Sequence, residues 1–267
     1  MKDLYNSSNE ITEQNVISTS DNVDNEKTNK LISMQIKLPY LGRNIKMKTV
    51  SQGEYLYKMQ HNDIVFASGA AGTGKTFLSV AYAINLLAEN KIDRIIITRP
   101  VVEAGENLGY LPGDFRDKIL PYMRPIYDAL YSLLSNDIIL KYTEECKIEI
   151  APLAYMRGRT LSKSFIILDE AQNTTVSQMK MFLSRIGEKS KAIITGDISQ
   201  SDLPKNVESG LENALKILTE INGIGFHNFN KKDVIRHHLV SKILESYDSY
   251  NIKNYGYYLL WVLLTKI

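Results

Sequence analysis

Residues 69–76 read Gly69-Ala70-Ala71-Gly72-Thr73-Gly74-Lys75-Thr76, and no other stretch restricts the fold as strongly. The run fits the pattern G-x-x-x-x-G-K-[ST], a loop whose glycines let successive N–H groups converge on one anion. Ile64-Val65-Phe66-Ala67-Ser68 before it is short, apolar and β-favouring, and reads as a buried strand after His61-Asn62-Asp63. Phe77 to Ala88 after it is rich in helix formers, with Asn90 as a stop. Strand, glycine loop and helix in that order predict a phosphate site, to which the helix N-terminus adds its dipole and unpaired N–H groups. Lys75 then reaches the β- and γ-phosphates of ATP, and the Thr76 hydroxyl holds Mg²⁺. The alternative is a glycine-rich turn with a lysine by chance.

A second signal follows at Phe165-Ile166-Ile167-Leu168-Asp169-Glu170, an apolar run ending in two acids. At the carboxyl end of a strand, Asp169 can bind Mg²⁺ through its water shell and Glu170 can polarise an attacking water. Alone the pattern is weak; roughly a hundred residues after a phosphate loop it gains force over a chance acidic turn. Further strands are expected at 94–98, 148–151, 192–195 and 224–229, with 138–140 also strand-like. Helices are expected over 122–135, 174–186 and 211–220, with a closing helix from Val234 to about Tyr247 capped by Asp233. This alternation predicts an α/β fold, a P-loop NTPase with a RecA-like parallel sheet and helices on both faces. Its ligand belongs at the carboxyl ends of the strands. A polar sensor within Gly196 to Pro204, beside the acid pair, could feel the γ-phosphate.

Four segments are expected: a disordered polar tail (1–30), a basic lead-in (31–48), the ATPase domain (49–248) and an apolar tail (249–267). The first is too polar to bury a core and lacks the basic start and apolar run of a signal peptide. The lead-in carries Lys37, Arg43, Lys46 and Lys48, with a short strand near 45–50; it reads as an ordered lead-in or as a basic arm touching RNA. In the last, Tyr257 to Leu264 is apolar and aromatic but far short of the ~20 residues a membrane helix needs. No membrane association is expected. The single cysteine, Cys146, excludes an internal disulfide and a cysteine-rich zinc site, and suits a reducing, cytoplasmic setting. A formal charge of +2 gives no strong steering towards nucleic acid. Gln52, ahead of the helix-like Tyr55 to Met59, has an amide that can pair with adenine through one donor and one acceptor. Arg157 and Arg159 flank Gly158 and can grip phosphates or pair with surface acids. The long Gly- and Pro-containing stretch 103–114 has the character of a functional loop.

These motifs, in order, resemble the PhoH family of bacterial ATP-binding proteins from about Lys48 to Tyr247. The likeness is carried by GAAGTGKT at 69–76, TRP at 98–100, EAGENLGYLPGD at 103–114, YMRGRTL at 155–161, FIILDEAQN at 165–173, TGDISQSDLP at 195–204 and DVIRHHLV at 233–240. The family is similar to the nucleotide-binding half of superfamily-one helicases. The resemblance implies that Gln52, Asp169, Glu170 and Gln200 contact adenine, metal, water and γ-phosphate. It also implies a link to phosphate starvation and ribosomal RNA maturation. Ala70 and His238 stand where the family often has proline. The polar tail stands where longer members have an amino-terminal domain.

The expected activity is an Mg-dependent ATPase acting on RNA or ribonucleoprotein. The alternative is a slow nucleotide-dependent switch or adaptor for a partner such as an endoribonuclease; a small-molecule kinase is weaker, since no acceptor pocket is legible. Helicases of the similar class use an arginine from a second α/β domain. A chain of this length is therefore expected to form a ring-like homo-oligomer, a hexamer by resemblance, with a neighbour's arginine completing the site. Arg185 is the first candidate for that arginine, then Arg236 and Arg157.

Overall fold

Apolar runs that end in polar residues pair here as a six-stranded, wholly parallel sheet. A computed structural model describes residue 26, residues 28–101 and 115–235, and positions 239–240, 242–243 and 246–247. The expected loop at 103–114, the apolar tail, Arg236 and His238 lie outside the described residues, as does nearly all of the polar tail. The chain divides into two units, Met1–Asp233 and Val234–Ile267. In the second, Val234 and Ile235, the expected start of the closing helix, are not helical, and the described positions between 239 and 247 are helical.

In the first unit, β1 (Gln35–Leu38) and β2 (Arg43–Lys46) form an antiparallel hairpin. Helix α1 (Val50–His61) leads into β3 (Ile64–Gly69), and α2 (Lys75–Ala88) into β4 (Arg94–Arg99). Helices α3 (Phe115–Tyr131) and α4 (Asn136–Glu144) precede β5 (Ile148–Pro152). Then come β6 (Ser164–Leu168), α5 (Val176–Leu183), β7 (Lys191–Gly196), α6 (Gly210–Ile217) and β8 (Ile224–Phe229). The strand order is β5-β4-β6-β7-β3-β8. The phosphate-loop strand β3 is thus separated from the acid-bearing strand β6 by one inserted strand, β7. The chain leaves β3 for one side of the sheet and returns to its other side with β8. That reversal is the switch point at which open α/β sheets bind ligands.

The strands alternate strictly between two cores. Val65, Ala67, Ile95, Ile97, Phe165, Ile167 and Ile193 face α1–α4 and the hairpin. Phe66, Ile96, Ile166, Leu168, Ala192 and Ile194 face α5 and α6. Burial on both faces is why these strands read as continuous apolar runs. The lead-in belongs to this packing: Leu31, Ile36, Leu38 and Met47 are buried, whereas Lys37 and Lys46 point to solvent. A Cβ on Gly53 would collide with the Leu31 carbonyl, so α1 and the lead-in pass each other with backbone nearly touching. The ordered lead-in is the reading this packing supports.

One expected strand is a helix. Ile138-Ile139-Leu140 lies within α4, where Ile139 is 4% exposed and Leu140 is 62% exposed. Neighbours in a three-residue apolar run diverge on a helix, and one buried stripe suffices to hold it.

His227 on β8 is buried against α1. Its Nε2 lies 3.0 Å from the Ser51 hydroxyl and its Nδ1 lies 3.4 Å from the Lys58 ammonium, while Tyr55 stacks on the ring. An ammonium can only donate, so Nδ1 accepts from Lys58 and Nε2–H donates to Ser51. Burial, then the Lys58 charge, push the imidazole down to about 4, with Asp233 opposing. Protons therefore bind the unfolded chain more readily. The stability contributed is present above about pH 6.5 and is lost as pH falls through about 4. We expect the melting temperature to drop over this interval and the drop to shrink in His227→Gln; an unchanged profile in that variant would remove His227 as its source.

Candidate functional site

The loop after β3 turns on Gly69, Gly72 and Gly74, with φ of 127°, 85° and 90°. At Gly69 a Cβ would also strike the Phe229 carbonyl of β8, so residue type and packing agree there. Helix α2 begins at Lys75 directly after the loop, aiming its first N–H groups into it. The Lys75 ammonium curls back to donate to the carbonyls of Gly69 (2.6 Å) and Ala70 (2.8 Å). Burial pushes its pKa down, and Asp197, Asp169 and Glu170 oppose that shift.

Parallel pairing of β4, β6 and β7 brings the acids alongside. The Thr76 hydroxyl donates to Asp169 Oδ1 at 2.6 Å, and the Thr195 hydroxyl at the end of β7 donates to the same oxygen at 2.7 Å. Asp169 is 6% exposed. Among the described residues no group of three or more His, Cys, Asp or Glu converges as a metal-ligand set. The site instead offers one carboxylate oxygen touching two hydroxyls. Hard oxygen donors in that small number fit Mg²⁺, which keeps several waters and takes phosphate oxygens. Thr76 and Asp169 are the residues that would hold it.

Glu170 sits in the left-handed region (φ 53°, ψ 40°), unusual for a residue with a side chain. Such strain clusters at functional sites. Its Oε2 accepts from Gln172 Nε2 at 2.5 Å, and its Oε1 lies 3.4 Å from Arg99 Nη2. The buried Gln172 amide has its orientation dictated: its oxygen accepts the Asp197 N–H at 3.0 Å and its nitrogen faces Glu170. Gly196 has no room for a Cβ, which would lie 2.7 Å from that Gln172 oxygen. Gln200 donates to Asp197 Oδ2 at 2.8 Å. A cleft of about 320 Å³ is lined by Ala71, Gly72, Gly74, Lys75, Thr76, Asp169, Glu170, Asp197 and Gln200, with Pro125 and Ala129 of α3 forming part of its wall.

Gln52 reaches the loop from behind. Its amide nitrogen donates to the Thr73 carbonyl at 2.9 Å, and its oxygen accepts the Lys48 N–H at 2.9 Å. Arg185 lies away from the cleft of its own chain, as a residue serving a neighbour's site can. Helix α5 runs back against the strand direction, so its far end lies by the amino ends of β6 and β7, where Leu161 bridges Ile186. There Arg185 donates to the Arg159 carbonyl (3.4 Å) and to the Ser184 hydroxyl (3.0 Å). The arginine pair around Gly158 splits: Arg159 makes a two-pronged ion pair with Glu149 at 2.6 and 2.7 Å, and Arg157 is exposed. Arg99, Gln172, Thr195 and Asp197 were not singled out as site residues by sequence reasoning. A polar residue closing an apolar strand was the available signal for Arg99 and Thr195.

The profile of the PhoH-like protein family matches residues 44–248. A PhoH-like protein of Bacillus subtilis (strain 168) is 56% identical over 210 residues, covering 79% of this chain and 66% of that relative. A PhoH-like protein of Synechocystis is 51% identical over 78% of this chain and 63% of its own length. Protein PhoH of Escherichia coli (strain K12) is 46% identical over 78% of this chain and 58% of its own length. The chain therefore spans a little under two thirds of these curated relatives. Among solved structures, the Pyrococcus furiosus Hef helicase domain aligns at 14% identity and a TM-score of 0.39, over 68% of this chain and 38% of that one. From the family profile and these sequence relatives, the chain belongs to the PhoH family.

Proposed function

We propose that the protein is an Mg-dependent ATPase that acts on RNA or ribonucleoprotein. The observation that carries the ATPase reading is the 2.6 Å contact between the Thr76 hydroxyl and Asp169, in a cleft shared with Lys75 and Glu170. It joins the two halves of a nucleoside-triphosphate site from chain segments far apart in sequence. The loop and Lys75 bind the phosphates; Glu170 accepts a proton from, or orients, the attacking water; Gln200 stands across the cleft as the γ-phosphate sensor. Bound Mg²⁺ would neutralise charge on the phosphates. Gln52 spends one N–H and one lone pair on the structure and retains one of each, the pair an adenine edge takes.

RNA as the target, a homo-oligomer with a neighbour's arginine, and an endoribonuclease partner rest on the family resemblance. Of the candidate arginines, Arg185 stays the first choice for a neighbour's site, with Arg236 and Arg157, the latter exposed after β5, as the next. No described helix is long and apolar enough to cross a membrane. The test is the ATPase rate with and without single-stranded RNA, with ribosomal fractions as a second arm. RNA-stimulated turnover supports the proposal. Tight ATP binding with slow turnover indifferent to both additions supports the switch or adaptor instead.

Asp169→Asn should raise the Mg²⁺ concentration needed for half-maximal activity, because the neutral amide loses the charge that favours the cation. A Mg²⁺ titration reads this directly. An unchanged midpoint would exclude Asp169 as a metal-holding residue.

A further inference from the structure

We propose that Arg99 is a positioning residue that sets Glu170 for hydrolysis and ties it to helix α3, an inference resting on Glu170 as the water-orienting group. Arg99 ends β4, which is paired in register with β6, Thr98 opposite Leu168. The Asp169 N–H continues that pairing by donating to the Thr98 carbonyl at 2.9 Å. The Arg99 side chain therefore emerges beside the Asp169–Glu170 turn. Glu170, left-handed in its backbone, has its carboxylate 3.4 Å from this side chain.

The guanidinium has two partners. Nη2 lies 3.4 Å from Glu170 Oε1, and Nη1 donates to the Tyr122 carbonyl of α3 at 2.9 Å. Helix α3 walls the cleft through Pro125 and Ala129. Arg99 is thus a strut between two walls, and only a planar fork can span both. On its other side Glu170 is held by Gln172, so among the described residues each carboxylate oxygen has one partner and keeps a lone pair for water. A glutamate side chain has three rotatable bonds, and holding both oxygens removes most of its freedom. The Arg99 side chain is 19% exposed and that of Glu170 37%. An ordinary ion pair at such a site contributes little to stability, whereas misplacing a reacting group by about 1 Å can cost ~10² in rate. Arg99 should therefore be felt in turnover and barely in melting.

The test combines Arg99→Gln and Arg99→Lys with Glu170→Gln. Single-turnover hydrolysis is measured with protein in excess over radiolabelled ATP, alongside ATP titrations and thermal melts. Arg99→Gln should slow hydrolysis by about 10–10² while ATP affinity stays within about twofold. Arg99→Lys, which keeps the charge and can reach one partner, should retain part of the rate. In the Glu170→Gln background neither change should cost anything further, because the proton-accepting carboxylate that Arg99 positions is gone. Equal fold-losses in both backgrounds would show that Arg99 acts independently of Glu170 and overturn the proposal. So would a parental rate in Arg99→Gln, or a rate loss fully matched by lost affinity. If Arg99→Gln does not fold, Arg99→Lys decides by the same comparison. A parental rate in Glu170→Gln alone would defeat the reading of Glu170 and this inference together; a null result confined to the Arg99 variants would defeat only the inference.

Discussion

Lys75→Ala removes most of the affinity for ATP in a nucleotide titration. Among the described residues the ammonium is the one cation lining the cleft, where three carboxylates, those of Asp169, Glu170 and Asp197, face it. Its present partners are two loop carbonyls at 2.6 and 2.8 Å. Phosphate oxygens would replace them with charge-assisted hydrogen bonds. Each such bond contributes roughly 1.5–3 kcal/mol, and truncation also leaves the acids opposing an incoming triphosphate. The expected loss is on the order of 10² or more in Kd. Because Lys75 is buried, Lys75→Met is the better control for packing: it keeps the alkyl stem and removes only the charge. Both variants should lose binding while the methionine form melts near the parent. Unchanged binding in either would mean that the glycine loop is not the nucleotide site.

The parts of the molecule readable beforehand were those in which one physical rule dominated a short stretch. A strand buried on both faces is a bare apolar run, and Ile64–Gly69 and Ser164–Leu168 are legible for that reason. The phosphate loop was visible because its glycines and lysine serve a local backbone geometry. Helix α1 showed only its Tyr55–Met59 segment, because its first turn carries Ser51, Gln52 and Gly53. Those residues serve the His227 contact, the loop and the Leu31 crossing rather than the helix. What was not readable depends on which strands are neighbours. Thr195 meets Asp169 because β7 lies beside β6, and Arg99 meets Glu170 because β4 lies on the other side. Strand order is a non-local fact.

Glu170→Gln should leave ATP bound and slow its hydrolysis by about 10²–10⁴, the range for a positioned general base. The substitution is nearly isosteric and keeps an oxygen for Gln172 Nε2 or Arg99 Nη2. The strained turn at φ 53° is retained, since glutamine tolerates it no worse than glutamate. Lys75, Thr76 and Asp169, which face the phosphates and metal, are untouched, so affinity should hold. What is lost is the proton acceptor, because an amide cannot take a proton from water near neutral pH. Such a variant should accumulate bound, unhydrolysed ATP, which is also the species in which any ATP-dependent partner would be captured. Single-turnover chase experiments separate the outcomes. Slow chemistry with parental affinity assigns the water to Glu170. A parental rate would move that role elsewhere in the cleft, with the buried carboxylate of Asp197, in contact with Gln200, as the next group to replace.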